Sequence, residues 1–410
     1  LRLLSEHNGS EPRVLTEEDR LEVMRRAAEG SSYKTPELAA LVSLAKQRLE
    51  GPGDAPDPTL AAAFDRYETA MAVLGALDFD DLVGRAVFLL ESDREFLERC
   101  RRHFKWILID EYQDINHAQY RLTRLLAPGR IPDLMVIGDP DQAIYGFRGA
   151  DSSYFRRFQE DFPGAGTVTL DRNYRSSDVI LRASSQVISH NPGAGRGRLS
   201  SDLKGPARVT TAELTTPAAE AEYVCRQIER LIGGSSYFAL DSGRADSNGE
   251  AGLSLGDVSV LYRLHALAGP VAEALAQAGL PCQQAGPHPV RETDGLDFQA
   301  EKINLLSMHA AKGLEFEVVF IIGLEEGILP YQPPNKEPAD VAEERRLFFV
   351  AMTRAKKHLY LTRSRQRTLF GRRRRPPASP FLEEIAQGLK ARDKLPDRRP
   401  RKKKEQLKLF

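Results

Sequence analysis

Six consecutive residues, Ile109-Asp110-Glu111-Tyr112-Gln113-Asp114, follow the apolar run Trp106-Ile107-Leu108. The pattern puts two adjacent carboxylates where a buried strand meets its loop, the place at which α/β proteins bind ligands. Asp beside Glu there offers a hard oxygen ligand for Mg²⁺ and a base able to polarise a water, the two needs of nucleotide hydrolysis. The competing reading is that both carboxylates cap a following helix. A Gly-x-x-x-x-Gly-Lys-Ser/Thr loop would complete the chemistry by cradling phosphates, yet nowhere in the 410 residues does Gly precede Lys.

Four further segments carry residues that a core would not need. Gly138 to Ala150 reads Gly-Asp-Pro-Asp-Gln-Ala-Ile-Tyr-Gly-Phe-Arg-Gly-Ala. It joins the amide of Gln142 to Tyr145, Phe147 and Arg148, so one loop has an amide for a terminal phosphate and rings for stacking on bases. Leu170 to Ser177 places Tyr174 and Arg175 at the opening of a second α/β region, where a guanidinium can reach phosphate bidentately. Ser307 to Phe316 contains His309 and Glu315 ahead of a strand. The last segment reads as a helix from Glu343 to His358, with Leu347, Phe348, Val350 and Ala351 in the core and Arg354 without an evident core use.

The elements that must hold these residues alternate. Residues 1 to about 100 read as helices: Thr16 caps a start at Glu17, amphipathic runs cover 60–77 and 82–104, and 51–58 is a Pro/Gly/Asp loop. Strand-like runs at 106–109 and 134–137 flank a helix around 117–126, the mark of parallel α/β folding. From 170 onward, helices at 179–188, 218–232 and 266–278 alternate with strands at 207–214, 258–262, 303–306, 318–322 and 359–362. A Gly/Ser-rich excursion at 233–256 reads as an exposed loop.

With 41% hydrophobic and 28% charged residues the chain has the composition of a soluble, intracellular globular protein of two or three domains. No apolar run is long enough to span a membrane, so no membrane partner is expected and a cytoplasmic location is the default. Cys100, Cys225 and Cys282 lack metal-ligand spacing and read as packing residues. The net charge of zero hides an asymmetry, since residues 361–410 carry 17 Lys+Arg against 5 Asp+Glu. Blocks at Arg372–Arg375 and Arg398–Lys404 suit a phosphate backbone, against the plainer reading of a solvated tail.

In order, wording and spacing, the five segments resemble motifs II to VI of the UvrD/Rep-like superfamily 1 DNA helicases, over residues 106 to 362. That resemblance implies an α/β protein with two RecA-like domains of the P-loop NTPase type, ATP between them and single-stranded DNA across their top. It implies a helical insertion subdomain over 1–103, the rest of the first RecA-like domain over 104–168, a second over 169–385, and a basic tail over 386–410. Asp110 then holds Mg²⁺, Glu111 activates the attacking water, and Gln142 senses the γ-phosphate. Arg175 and Arg354 stabilise charge on the transferring phosphoryl group, Tyr174 stacks on adenine, and Glu315 contacts ribose. Tyr145, Phe147, Arg148 and His309 face DNA, and translocation runs 3′ to 5′.

The chain departs from the family twice. It opens at Leu1-Arg2-Leu3-Leu4, at a point that looks already inside the helical insertion, and without a phosphate loop it is expected to be incomplete and inactive alone. The insertion of the second domain is reduced to about 285–302, which puts strand separation in question more than translocation. Gln406-Leu407-Lys408-Leu409-Phe410 resembles the peptide that bacterial replication proteins place in the sliding clamp, against an ordinary terminus as the alternative. Set against the helicase is a non-enzymatic, DNA-binding or clamp-tethered relative, or a phosphate loop supplied by another polypeptide.

Overall fold

The computed structural model describes residues 1–128, 134–193, 199–233, 253–286, 293, 295–333 and 340–393. Two compact units divide the chain, Leu1–Val168 and Thr169–Phe410.

The first unit begins with six helices: α1 (Arg2–Asn8), α2 (Glu17–Ala28), α3 (Thr35–Gln47), α4 (Pro58–Leu74), α5 (Phe79–Ser92) and α6 (Arg94–His103). Their starts follow from local hydrogen-bond chemistry. Thr16 Oγ1 accepts from the Asp19 amide at 3.2 Å, and Asp57 accepts from the amides of Thr59 and Leu60 with Pro58 opening the helix. The run expected over 82–104 breaks at Asp93, whose carboxylate caps α6 through the Phe96 amide at 2.8 Å. Met24, Leu38, Val42, Phe64, Tyr67 and Met71 form the apolar centre. Beside it lies a buried polar knot, in which Lys46 Nζ is 2.8 Å from both Asp78 and Asp81, and Tyr67 donates to Asp78 at 2.7 Å. Losing one member of such a knot costs ~3–5 kcal/mol, because the others stay buried and unpaired.

The short strands β1 (Arg13–Val14) and β2 (Ala76–Leu77) pair in parallel, as do β3 (Ile107–Ile109) and β4 (Leu134–Val136), on either side of α7 (His117–Leu126). Helices α8 (Ser153–Arg156) and α9 (Phe158–Asp161) follow. The expectation that the strand before Asp110 is buried is corrected. Ile109 and Val136 pack against the Tyr112, Ile115, Tyr120 and Tyr154 cluster, but Trp106 (72%), Leu108 (73%), Met135 (56%) and Ile137 (50%) are exposed. Strand side chains alternate between faces, and only one face of this two-stranded ribbon is covered by described residues.

The second unit runs α10 (Asp178–Ile188), β5 (Val209–Leu214), α11 (Pro217–Leu231), β6 (Val258–Tyr262), α12 (Ala268–Gln277), β7 (Cys282–Gln284), β8 (Ile303–Ser307), β9 (Phe316–Ile321), α13 (Val341–Met352) and β10 (Ala355–Ser364), then β11 (Arg367–Leu369), β12 (Arg372–Arg374) and β13 (Lys390–Arg392). One sheet has the order β13-β5-β10-β9-β6-β8-β7, and each neighbouring pair in it is parallel. Every residue of β6 and β8 is buried, which explains their largely apolar sequences, with Ser259 and Asn304 the polar exceptions inside them. Cys225 belongs to this core and Cys282 packs on it, while Cys100 lies in a core of the first unit, so all three cysteines are packing residues.

Two sequence expectations shift here. The helix expected from Glu343 to His358 ends at Met352. Thr353 Oγ1 and Arg354 Nε both donate to the Val350 carbonyl, at 2.9 and 3.0 Å, closing the last turn so that Lys356 to His358 run in β10. The chain stays folded into the segment read as a tail: β13 pairs with β5, and Asp393 accepts from Tyr223 and Gln227. Most of the excursion at 233–256, and the segment holding Gln406, Leu407, Leu409 and Phe410, lie outside the described residues.

Candidate nucleotide and nucleic-acid sites

In the first unit the chain leaves β3 through Asp110, whose Oδ1 accepts from the Glu111 amide at 2.9 Å. Glu111 has φ 52° and ψ 40°, the left-handed region, and a 3₁₀ turn over Tyr112–Asp114 follows. A non-glycine residue held there costs ~1–3 kcal/mol and persists only when its surroundings fix it. Gln113 supplies that fixing. Fully buried, it donates from Nε2 to the Glu111 carboxylate, while its Oε1 accepts from the Asp139 amide at 2.9 Å. Asp139 Oδ2 in turn accepts from Gln142 Nε2 at 2.7 Å. A hydrogen-bonded chain therefore links Glu111, Gln113, Asp139 and Gln142 across the ends of β3 and β4.

Gly138 lies inside this chain by necessity. A Cβ on it would sit 2.4 Å from Gln113 Oε1 and 2.9 Å from the Phe155 ring. Gln113 and Asp139 had no role in the sequence reading, although both lie in the segments it singled out. Their signal was a polar residue in the short loop that follows a strand.

Beyond Gln142, a turn over Gly146–Arg148 presents the aromatic residues. Tyr145 and Phe147 have ring centroids 6.3 Å apart, with the Arg148 guanidinium 5.0 Å from one ring and 5.4 Å from the other. Phe147 is 54% exposed. Two rings and a cation on one open turn form a stacking platform with a phosphate contact built in.

The donor set at Asp110 and Glu111 fits Mg²⁺. Both carboxylates are exposed at a strand end. Mg²⁺ keeps several waters and takes one or two carboxylates plus phosphate oxygens. The lack of any cluster of three or more His, Cys, Asp or Glu among the described residues is therefore no obstacle.

In the second unit Arg175 Nε donates to Glu315 at 2.6 Å, and Lys356 Nζ lies 3.1 Å from the same carboxylate. Hydrogen bonds from both cations hold Glu315 below the ordinary carboxylate range. Glu315 and Lys356 belong to the N-terminal ends of β9 and β10, beside a recess of about 470 Å³ also lined by Asp257, Glu301 and Glu317. His309 follows the C-terminal end of β8, so it leaves the parallel sheet at the end opposite to that of Glu315 and Lys356. Tyr174 is 76% exposed, with the Arg172 guanidinium 5.4 Å from its ring.

The packing of Arg354 differs from the sequence expectation. Sequence reading found no core use for it, yet it is 2% exposed and donates to the carbonyls of Val350 and Leu314 and to Thr353 Oγ1. It ties the end of α13 to the start of β9. Arg175, Glu315 and Lys356 are thus brought together in this unit.

Comparison with known sequences decides the assignment. The profile of the UvrD/REP helicase N-terminal domain matches residues 13–163, and that of the UvrD-like helicase C-terminal domain matches 168–288 and 290–366. The chain belongs to the UvrD/Rep helicase family. Among its relatives, the ATP-dependent DNA helicase PcrA of Bacillus subtilis (strain 168) is 26% identical over 549 residues, covering 92% of this chain and 72% of the relative. PcrA of Staphylococcus epidermidis is 27% identical over 496 residues, covering 85% and 68%. The ATP-dependent DNA helicase UvrD1 of Mycobacterium leprae is 26% identical over 497 residues, covering 80% and 64%. These matches run longer than the 410 residues here, so the relatives carry inserted segments that this UvrD/Rep chain does not. No helix among its described residues is long and apolar enough to cross a membrane.

Proposed function

We propose that this chain is the ATP-handling and DNA-translocating part of a cytoplasmic 3′ to 5′ DNA helicase, and that these 410 residues alone turn ATP over at or near background. The observation that carries the reading is the hydrogen-bonded chain Glu111–Gln113–Asp139–Gln142, which runs into the turn bearing Tyr145, Phe147 and Arg148. A shift at the phosphate-sensing amide of Gln142 would be passed through these hydrogen bonds to Glu111 and through the backbone to the base-stacking turn that follows, the coupling that a translocase needs. Asp110 would hold Mg²⁺, which when bound would draw charge off phosphate oxygens. Glu111 would orient and deprotonate a water, with Gln113 fixing its carboxylate. Tyr174 would stack on adenine, Arg175 would meet the phosphoryl charge and Glu315 the ribose. His309 would join the DNA-facing set.

Low turnover follows from the lack of any Gly-Lys pair, which leaves no phosphate loop in this sequence to anchor the β- and γ-phosphates. One observation favours a second reading, a DNA-binding relative without ATPase activity: that same lack. The test is single-strand binding by anisotropy beside steady-state ATPase with and without DNA. Micromolar binding with background turnover is expected. Turnover at a rate of tens per second would overturn the expectation of inactivity, and no preference for single strands over free dye would overturn the helicase assignment. A peptide spanning 398–410 is expected to bind a bacterial sliding clamp and to lose binding on Phe410→Ala; no binding by the unaltered peptide removes the clamp as partner.

A further inference from the structure

Gln47 is the last residue of α3, and Ser43 stands one turn before it. Asp80, in the first turn of α5, holds both: Ser43 Oγ donates to its Oδ2 at 2.5 Å, and Gln47 Nε2 donates to its Oδ1 at 3.0 Å. Gln47 Nε2 also lies 3.3 Å from Ser43 Oγ. With the amide nitrogen committed to the carboxylate, the amide oxygen must point the other way. It is buried and has no hydrogen-bond partner. Flipping the amide would set that oxygen against the Asp80 carboxylate, so Asp80 decides which end of Gln47 faces outward from α5.

What the oxygen faces is the base-stacking turn. Gly149 closes that turn in the left-handed region at φ 84°, its amide donating to Gly146 O at 3.0 Å. A Cβ on Gly149 would lie 2.4 Å from Gln47 Oε1 and 3.3 Å from Leu44 Cδ2. The end of α3 is therefore in tight contact with the backbone of the turn carrying Tyr145, Phe147 and Arg148. An unpaired buried carbonyl oxygen is destabilising, since it has given up water without a replacement donor. Such a cost is sustained here by the two contacts that Asp80 imposes.

We propose that Gln47, oriented by Asp80 and Ser43, is a positioning residue that sets how the helical part of the first unit presents the Tyr145–Arg148 platform to single-stranded DNA. The inference rests on the reading of that turn as DNA-facing. Gln47 acts as a stop against Gly149: it fixes the height of the turn, and with it the spacing of the two rings and the guanidinium over a bound base. The helical part then tunes stacking without touching DNA through this residue.

The test uses the full chain and a dT 20-mer carrying one 2-aminopurine. Kd, its salt dependence and 2-aminopurine quenching are measured for Gln47→Ala, Asp80→Asn, Gly149→Ala and the Gln47→Ala/Gly149→Ala pair, with Phe147→Ala as control. Amide hydrogen exchange over α3 and α5 reports the fold. Gln47→Ala and Asp80→Asn are expected to weaken binding about 3- to 10-fold, within the range of one partly disrupted base stack. They should reduce quenching and leave the salt slope unchanged, since every phosphate-binding cation is retained. Gly149→Ala should weaken binding further, and the pair should recover part of that loss. If Gln47→Ala and Asp80→Asn both keep the original Kd and quenching while Phe147→Ala weakens binding, the positioning role is overturned and the DNA-facing turn stands. If Phe147→Ala is also silent, the reading of the turn falls and the inference falls with it.

Discussion

Removing the guanidinium of Arg367 is expected to unfold the second unit preferentially. Arg367 opens β11, is 5% exposed, and donates to Glu325 at 2.8 and 2.7 Å and to Glu220 at 2.5 Å. Each carboxylate has further donors: Glu220 accepts from Thr362 Oγ1 and the Gly323 amide, and Glu325 from the Ser364 amide and hydroxyl. The group thereby joins α11, β10 and the chain after β9 to the β11–β12 hairpin. Arg367→Met keeps the apolar stem but leaves two buried carboxylates without a cation, at a cost of ~3–5 kcal/mol. With a urea dependence of ~2–3 kcal/mol per molar, the midpoint falls by roughly 1–2 M. Hydrogen exchange in urea, read peptide by peptide, assigns the loss to residues after 168 and leaves α1–α7 protected. The triple variant Arg367→Met/Glu220→Gln/Glu325→Gln should recover part of the loss, because neutral amides can be buried more cheaply than unpaired charges. A loss below ~1 kcal/mol for Arg367→Met, or no recovery in the triple variant, would refute the reasoning.

Gly138→Ala drives a methyl into Gln113 Oε1 and Phe155; it should cost the first unit ~1–3 kcal/mol as overpacking does, measured by urea denaturation, and Gln113→Ala should make the same change less costly. Burial raises the pKa of Asp78, but the Lys46 charge and hydrogen bonds outweigh it and hold the carboxyl below its ordinary 3.8. Its stabilising effect is therefore complete above about pH 4 and lost as pH falls through the lower folded value, so Asp78→Asn should lower stability at neutral pH and flatten the acid limb of the first unit's pH–stability curve. Deleting residues 394–410 removes eight Lys and Arg; single-strand affinity should drop and its log–log salt slope become shallower by ~0.7 for each phosphate no longer neutralised, whereas an unchanged slope would make the segment a bystander.

Much of the second unit was legible because its strands are buried on both faces and so appear as short, mostly apolar runs, as in Val258 to Tyr262 and Ile303 to Leu306, each interrupted by one polar residue. Helix starts were legible where a capping side chain preceded them, as at Thr16. The end of α13 was not, because Thr353 and Arg354 look helical by periodicity and stop the helix through side-chain bonds to Val350. The same bonds hid the fate of Arg354, since a guanidinium can be satisfied by carbonyls of its own unit and a sequence records only its charge. Residue types announced Asp110, Glu111 and Gln142. The amide that ties the last two together, Gln113, depends on its distance from Asp139, 26 residues further on, and periodicity has no access to that.

The exposed face of β3 and β4 gives the protein an optical property. Trp106 is the single tryptophan of the chain and stands 72% open to water on that face. Its emission should be that of a hydrated indole, red-shifted and readily quenched by acrylamide. Any strand, helix or second molecule that comes to lie over Trp106 and Leu108 would therefore shift the fluorescence to the blue, and the coverage of the ribbon could be titrated without a label.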